Sequence, residues 1–185
     1  MSEMKKDSAG TAARFPCHIY GIPDPYKAYE DLTVDWAKRY GDSVCLEDGT
    51  MLHWNFVWDD GKRFLIRCKA CGGLLLVQCS EFHSFSDEPD GYYEDWIPVS
   101  SVEEADLMNI LYGPWELDCC DVRHILHNNG KLLWRNGPDP VPYDPDELRE
   151  KIRENYSGLN REQKEMLEKL ISEAGKPEED PAPGT

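Results

Sequence analysis

The feature that most constrains this chain is a knuckle, Cys68-Lys69-Ala70-Cys71-Gly72-Gly73, set between two apolar runs, RFLIRC at 63–68 and LLLVQCS at 74–80. Two glycines directly after the second cysteine allow the left-handed backbone of a tight reversal, so the flanking runs are expected to pair as antiparallel strands. Two thiolates at this spacing can grip one tetrahedral zinc ion, with backbone amides directed at sulfur. Cys68 and Cys71 are therefore the candidate metal ligands, and zinc the candidate cofactor, in a structural role. Two further ligands are needed. A turn at 59–62 that pairs Trp58 with Arg63 would set His53 opposite Cys68. Cys45, Cys17, His18, His83, Cys119 and Cys120 are the other donors in reach of the argument. The alternative is a tight hairpin with two buried thiols and no metal.

Around the knuckle the patterning predicts an α+β fold: an antiparallel sheet, formed by a meander and a C-terminal hairpin, flanked by helices. The segment MLHWNFVW at 51–58 alternates as a strand, and the continuous FLI and LLLV runs read as strands covered on both faces. YYEDWIPV adds a fourth strand after an 81–91 loop. Ser101-Val102-Glu103-Glu104 is a capping-box pattern ahead of a helix carrying Leu107, Met108 and Leu111, which Gly113-Pro114 ends. Trp115, Leu117 and Cys119 alternate as a further strand. HILH and KLLW flank Asn128-Asn129-Gly130, a strong hairpin signal. Asp24-Pro25 is a helix start, and Tyr29, Leu32, Trp36 and Tyr40 at helical spacing predict one helix over 25–40.

Composition divides the chain. Residues 1–13 and 175–185 read as disordered tails, 14–136 as the α+β core, 137–144 as a Pro-rich linker, and 145–174 as a helical hairpin folding back on the core. In the hairpin, Leu148, Ile152 and Tyr156 face one way on the first helix, as do Met166, Leu167, Leu170 and Ile171 on the second, with Asn160 as the cap between them. The N-terminus lacks an apolar signal core and no run approaches membrane-spanning length, so the expectation is a cytoplasmic protein with reduced thiols or metal-bound cysteines.

The formal net charge is −16. That excludes general nucleic-acid binding and adhesion to anionic membranes, both of which need Lys and Arg. Residues 70–122 hold twelve Asp or Glu and no Lys or Arg, so most of the imbalance sits in one block. Such a block is either a solvated face or a docking face for a basic partner. Within it Asp87, Glu88, Asp90, Tyr92, Glu94 and Asp95 interleave carboxylates with aromatics, the pairing that supplies both anchoring area and Arg or Lys recognition. These six are the candidate partner-binding residues. The opposing possibility is that the aromatics alternating with Trp96 pack inward.

Known reaction motifs are missing. Glycine-rich phosphate loops, HExxH and GxSxG do not occur. Cys79-Ser80-Glu81-Phe82-His83 has no evident third group to orient a nucleophile and base. The Cys-x-x-Cys runs into a strand rather than opening a helix, which argues against thioredoxin-type chemistry. The chain is read as non-enzymatic.

The knuckle resembles half of the metal site of zinc-ribbon and rubredoxin-like proteins, whose second Cys-x-x-Cys this chain lacks. Over residues 45–112, the order Cys68-x-x-Cys71-Gly72-Gly73, Ser80-Glu81, Tyr92-Tyr93-x-Asp95 and Pro98-Val99-Ser100-Ser101-x-Glu103-Glu104-Ala105 is similar to that of small acidic bacterial proteins of the immunity-protein type. That resemblance implies a protein-binding module that inhibits a basic partner such as a toxin through its acidic aromatic surface. The second expectation is a small structural-zinc protein of regulatory or scaffolding type.

Overall fold

Six strands form one antiparallel sheet in which every strand lies beside its sequence neighbours, in a computed structural model that describes residues 17–40, 61–82, 91–112, 117, 120–135 and 143–176. The strands are β1 (Val34–Tyr40), β2 (Gly61–Cys68), β3 (Leu74–Phe82), β4 (Gly91–Val99), β5 (His124–Asn128) and β6 (Lys131–Arg135). The helices are α1 (Pro25–Glu30), α2 (Val102–Leu111), α3 (Pro145–Asn155) and α4 (Arg161–Glu173). An α+β class with an antiparallel sheet is what the periodicities predict.

Strand periodicity divides the side chains between two cores, one on each face of the sheet. Leu65, Leu76, Ile97 and Val99 point to the face covered by α2, α3 and α4. Ile66, Leu75, Val77 and Ile125 point to the other, where Cys17, Ile19, Tyr20 and Ala28 of the N-terminal segment close the layer. The FLI and LLLV runs are apolar at successive positions because both faces are covered. Polar atoms fasten the N-terminal segment as well. Tyr20 donates to the Trp96 carbonyl at 3.0 Å, and the Trp134 indole N–H donates to the Pro23 carbonyl at 3.0 Å.

The first core is crossed by α2, whose residues from Glu104 to Leu111 are all buried. The helix lies between sheet and α3, so it needs apolar side chains on more than one face. The hairpin α3–α4 adds Leu148, Ile152, Leu167 and Ile171 to this core. Asp144 caps α3 by accepting from the Asp146 N–H, and Pro145 occupies its first turn. Asn160 and Gln163 form a reciprocal capping box on α4. At the β5–β6 reversal Asn129 and Gly130 adopt φ of 46° and 82°, the left-handed pair that Asn-Gly supplies at low cost.

Three expectations change. The helix predicted over 25–40 stops at Glu30, and residues 34–40 are an edge strand paired to β2, with Val34 opposite Cys68 and Tyr40 opposite Arg63. Thr33, Val34, Trp36 and Tyr40 are strand-preferring residues, and an open edge of β2 rewards extension more than a short helix is rewarded by its aromatic stripe. A register shift between Trp36 and Lys38 breaks strict alternation and imitates helical spacing. Second, Gly61 and Lys62 lie within β2 instead of in a turn at 59–62. Third, Leu117 is buried in the first core but lies outside any strand; its predicted strand companions Trp115 and Cys119 lie outside the described residues, as does the strand predicted at 51–58.

Candidate metal centre

The β2–β3 reversal forms as its glycines demand. Gly72 has φ of 75°. The Gly72 N–H donates to the Cys68 carbonyl and the Cys68 N–H to the Gly73 carbonyl, both at 2.8 Å. The Gly73 N–H points at the Cys71 sulfur, 3.4 Å away. One more bond, from the Lys69 N–H to the Thr33 carbonyl at 2.8 Å, ties the knuckle to the start of β1.

Cys17 and His18 come to this knuckle from fifty or more residues upstream in sequence. They stand where the N-terminal segment enters its short 3-10 turn, with Cys17 extended at φ −142° and ψ 146°. The donor atoms of Cys17, His18, Cys68 and Cys71 all lie within 4.8 Å of one another. The Nδ1 of His18 is 3.7 Å from the Cys17 sulfur, 3.6 Å from Cys68 and 3.4 Å from Cys71. The Cys17 and Cys71 sulfurs are 3.5 Å apart. A tetrahedral zinc with bonds of about 2.3 Å to sulfur and about 2.0 Å to nitrogen sets its sulfurs about 3.8 Å apart and sulfur from nitrogen about 3.5 Å. These four separations are close to edges of that tetrahedron, the other two sulfur pairs lie within 4.8 Å, and the four atoms lie close enough to bind one metal ion.

The surroundings suit coordination. His18 Nε2 is 2.9 Å from Asp31 Oδ2. A carboxylate only accepts, so Nε2 carries the proton and Nδ1 turns its lone pair toward the sulfurs, the carboxylate–histidine arrangement of metal sites. The Cys71 sulfur and, more weakly, the Asp31 carboxylate raise the His18 pKa against the opposing effect of burial. Burial resists ionisation at Cys71 too, but the His18 and Gly73 contacts outweigh it and bring that thiol down to about 6. Burial pushes the Cys17 thiol up. Of these two thiols the exposed one, Cys71, ionises first.

Of the other donors considered from sequence, Cys120 lies on the opposite face of the sheet, beside His124. Cys45, His53, His83 and Cys119 lie outside the described residues. The partner-binding candidates are placed as follows. Asp87, Glu88 and Asp90 lie outside the described residues. Tyr92, half-buried, donates to Glu94 at 2.6 Å. The Glu94 side chain is 12% exposed and also receives the Trp96 indole N–H at 3.1 Å, with His127 Nδ1 3.3 Å away. Asp95 points to the other face, buried, 3.3 Å from His124 Nε2.

Sequence reasoning ranked His53 by an assumed register, whereas the observed register sets Val34 opposite Cys68. The adjacent donors Cys17-His18 were the available signal: two donors together, followed by Asp31 as a possible outer partner. Comparison with protein-family models, with curated proteins and with solved structures finds no match.

Proposed function

We propose that this chain is a small zinc-clasped binding module, in which Cys17, His18, Cys68 and Cys71 hold one structural zinc and the folded surface serves a regulatory or scaffolding role. The observation that carries the reading is the convergence of four donor atoms within 4.8 Å of one another, with His18 Nδ1 3.4–3.7 Å from all three sulfurs. Three sulfurs and one imidazole suit zinc, and four protein ligands leave no open position of the kind a catalytic zinc keeps for water or substrate. The ion would join the N-terminal layer to the β2–β3 turn, fastening the cover of the second core to the sheet.

Within this reading the partner is a basic protein, attracted by the excess of acid in the chain. Glu94 and Asp95 are engaged inside the fold, so contact would fall to other acids of the block, Asp87, Glu88 and Asp90 among them.

Elemental analysis of protein purified without chelator should give one zinc per chain. Stripping the metal, or the substitution Cys68→Ser, should lower the melting temperature by ~10 °C or more, since structural zinc contributes directly to folding free energy. Zinc-free protein whose melting temperature is unaffected by Cys68→Ser would remove the reading. Reversing Asp87, Glu88 and Asp90 to Lys should abolish capture of a basic partner while leaving zinc content unchanged.

A further inference from the structure

The four donors are unequally accessible. Cys17 and Cys68 are 1% and 0% exposed, whereas Cys71 stands at the surface of the turn. A small oxidant therefore meets the Cys71 sulfur first. The Cys17 sulfur is 3.5 Å from it, and an S–S bond requires about 2 Å. The backbones differ in their freedom to close that gap. Cys68 ends β2, pairs with Val34 and closes the knuckle through both its N–H and its carbonyl. Cys17 lies ahead of the 3-10 turn and outside the sheet. Movement is easier from the Cys17 side.

We infer that Cys71 is a peroxide-reactive modification site and that Cys17 is its resolving thiol, so oxidation closes a Cys17–Cys71 disulfide. The inference rests on the zinc reading only in that a bound metal is what the disulfide displaces. In the first step the Cys71 sulfur gives two electrons to hydrogen peroxide, the O–O bond breaks, and a sulfenic acid and one water form. In the second, the Cys17 sulfur attacks the sulfenic sulfur, the S–S bond forms, and the hydroxyl leaves as a second water with the remaining thiol proton. When the sulfurs begin as metal-bound thiolates, the two protons come from solvent. Only His18 and Cys68 then remain as donors, two short of a tetrahedral set, and the metal is released. The new bond joins the same two pieces that the metal joined, so the N-terminal layer stays attached.

The experiment exposes the full chain to hydrogen peroxide in two forms, zinc-loaded and chelator-stripped. A chromogenic chelator reads zinc release, and peptide mass mapping under non-reducing conditions reads the disulfide. Both forms should yield a 17–71 cross-link, reversed by dithiothreitol. Cys71 should react roughly ten-fold or more faster than the buried Cys79 and Cys120. In the loaded form zinc should leave in step with the cross-link. The Cys79→Ser variant should behave as the parent, and Cys17→Ser should leave Cys71 as a sulfenic acid trapped by dimedone. A Cys68–Cys71 cross-link, or Cys71 remaining reduced in both forms, would overturn the inference. Zinc-free starting protein that still forms the 17–71 bond would overturn the zinc reading alone.

Discussion

Two histidines illustrate how position assigns chemistry to one residue type. His18 keeps Nδ1 for the sulfurs because its Nε2–H donates a hydrogen bond to Asp31. His124 is buried on the other face, its Nδ1 2.8 Å from the Val122 carbonyl and its Nε2 3.3 Å from Asp95. The Val122 contact requires Nδ1 to donate, and the carboxylate at Nε2 favours a second proton. Burial lowers a histidine pKa, but the Asp95 carboxylate and the Cys120 sulfur outweigh it and raise His124 from 6.5 to about 10. A folded pKa above the unfolded one means that the protonated form is favoured by folding. The contribution is full below pH 6.5 and is lost as pH rises through about 10. Urea unfolding at pH 6 and at pH 10 should therefore show a larger penalty for His124→Gln at pH 6. An equal penalty at both would mean that the residue acts by packing alone.

At the scale of elements, acids that look like surface charge in sequence serve as internal acceptors. Glu104 accepts from the Ser100 N–H and hydroxyl and from the Tyr143 N–H, at 2.5, 2.6 and 2.7 Å. It thereby joins the end of β4 to the start of α3. Its own N–H is capped by the Ser101 hydroxyl at 3.0 Å, so the motif forms with the carboxylate reaching one residue beyond the usual capping-box target. Asp106 accepts from Lys38, from the Tyr40 hydroxyl and from the Gly175 N–H, at 2.9, 2.8 and 2.8 Å. One carboxylate thus fastens β1, α2 and the end of α4. Replacing the buried Glu104 by Ala removes the acceptor of two part-buried backbone N–H groups and should cost about 2–3 kcal/mol in chemical denaturation. A loss below ~1 kcal/mol, the scale of one exposed hydrogen bond, would show that water replaces the carboxylate.

Across the whole molecule, one sheet is sealed on both faces by segments distant in sequence. The N-terminal layer carries half of the candidate metal donors, and the α3–α4 hairpin carries four buried aliphatic side chains of the first core. Ile152 is fully buried there. Ile152→Ala should therefore destabilise the entire fold by about 2–5 kcal/mol, in one transition followed equally by tryptophan fluorescence and far-ultraviolet circular dichroism. Separate transitions would mark the hairpin as an independently melting appendage.

The local features were legible from residue order because short-range stereochemistry sets them. The CxxCGG reversal, the Asn-Gly hairpin, the caps at Asp24, Ser101 and Asn160, and the strands of 63–68 and 74–80 each depend on neighbouring residues alone. Half of the candidate site, Cys68 and Cys71, belongs to this class. Cys17 and His18 stood in the sequence as two donors among several, and the folding of the N-terminal segment across the sheet selected them. The strand at 34–40 was likewise decided by the neighbour it found in β2. The fate of the acids depended on packing too: Glu94, Asp95, Glu104 and Asp106 belong to a block without a single Lys or Arg, yet their partners come from α1, β1, β5 and the chain around α3 and α4. Sequence by itself determined the turns, the caps and the strand-forming runs, whose energies are local. Tertiary structure alone decided which donors meet and which charges face inward, because both depend on contacts between residues tens of positions apart.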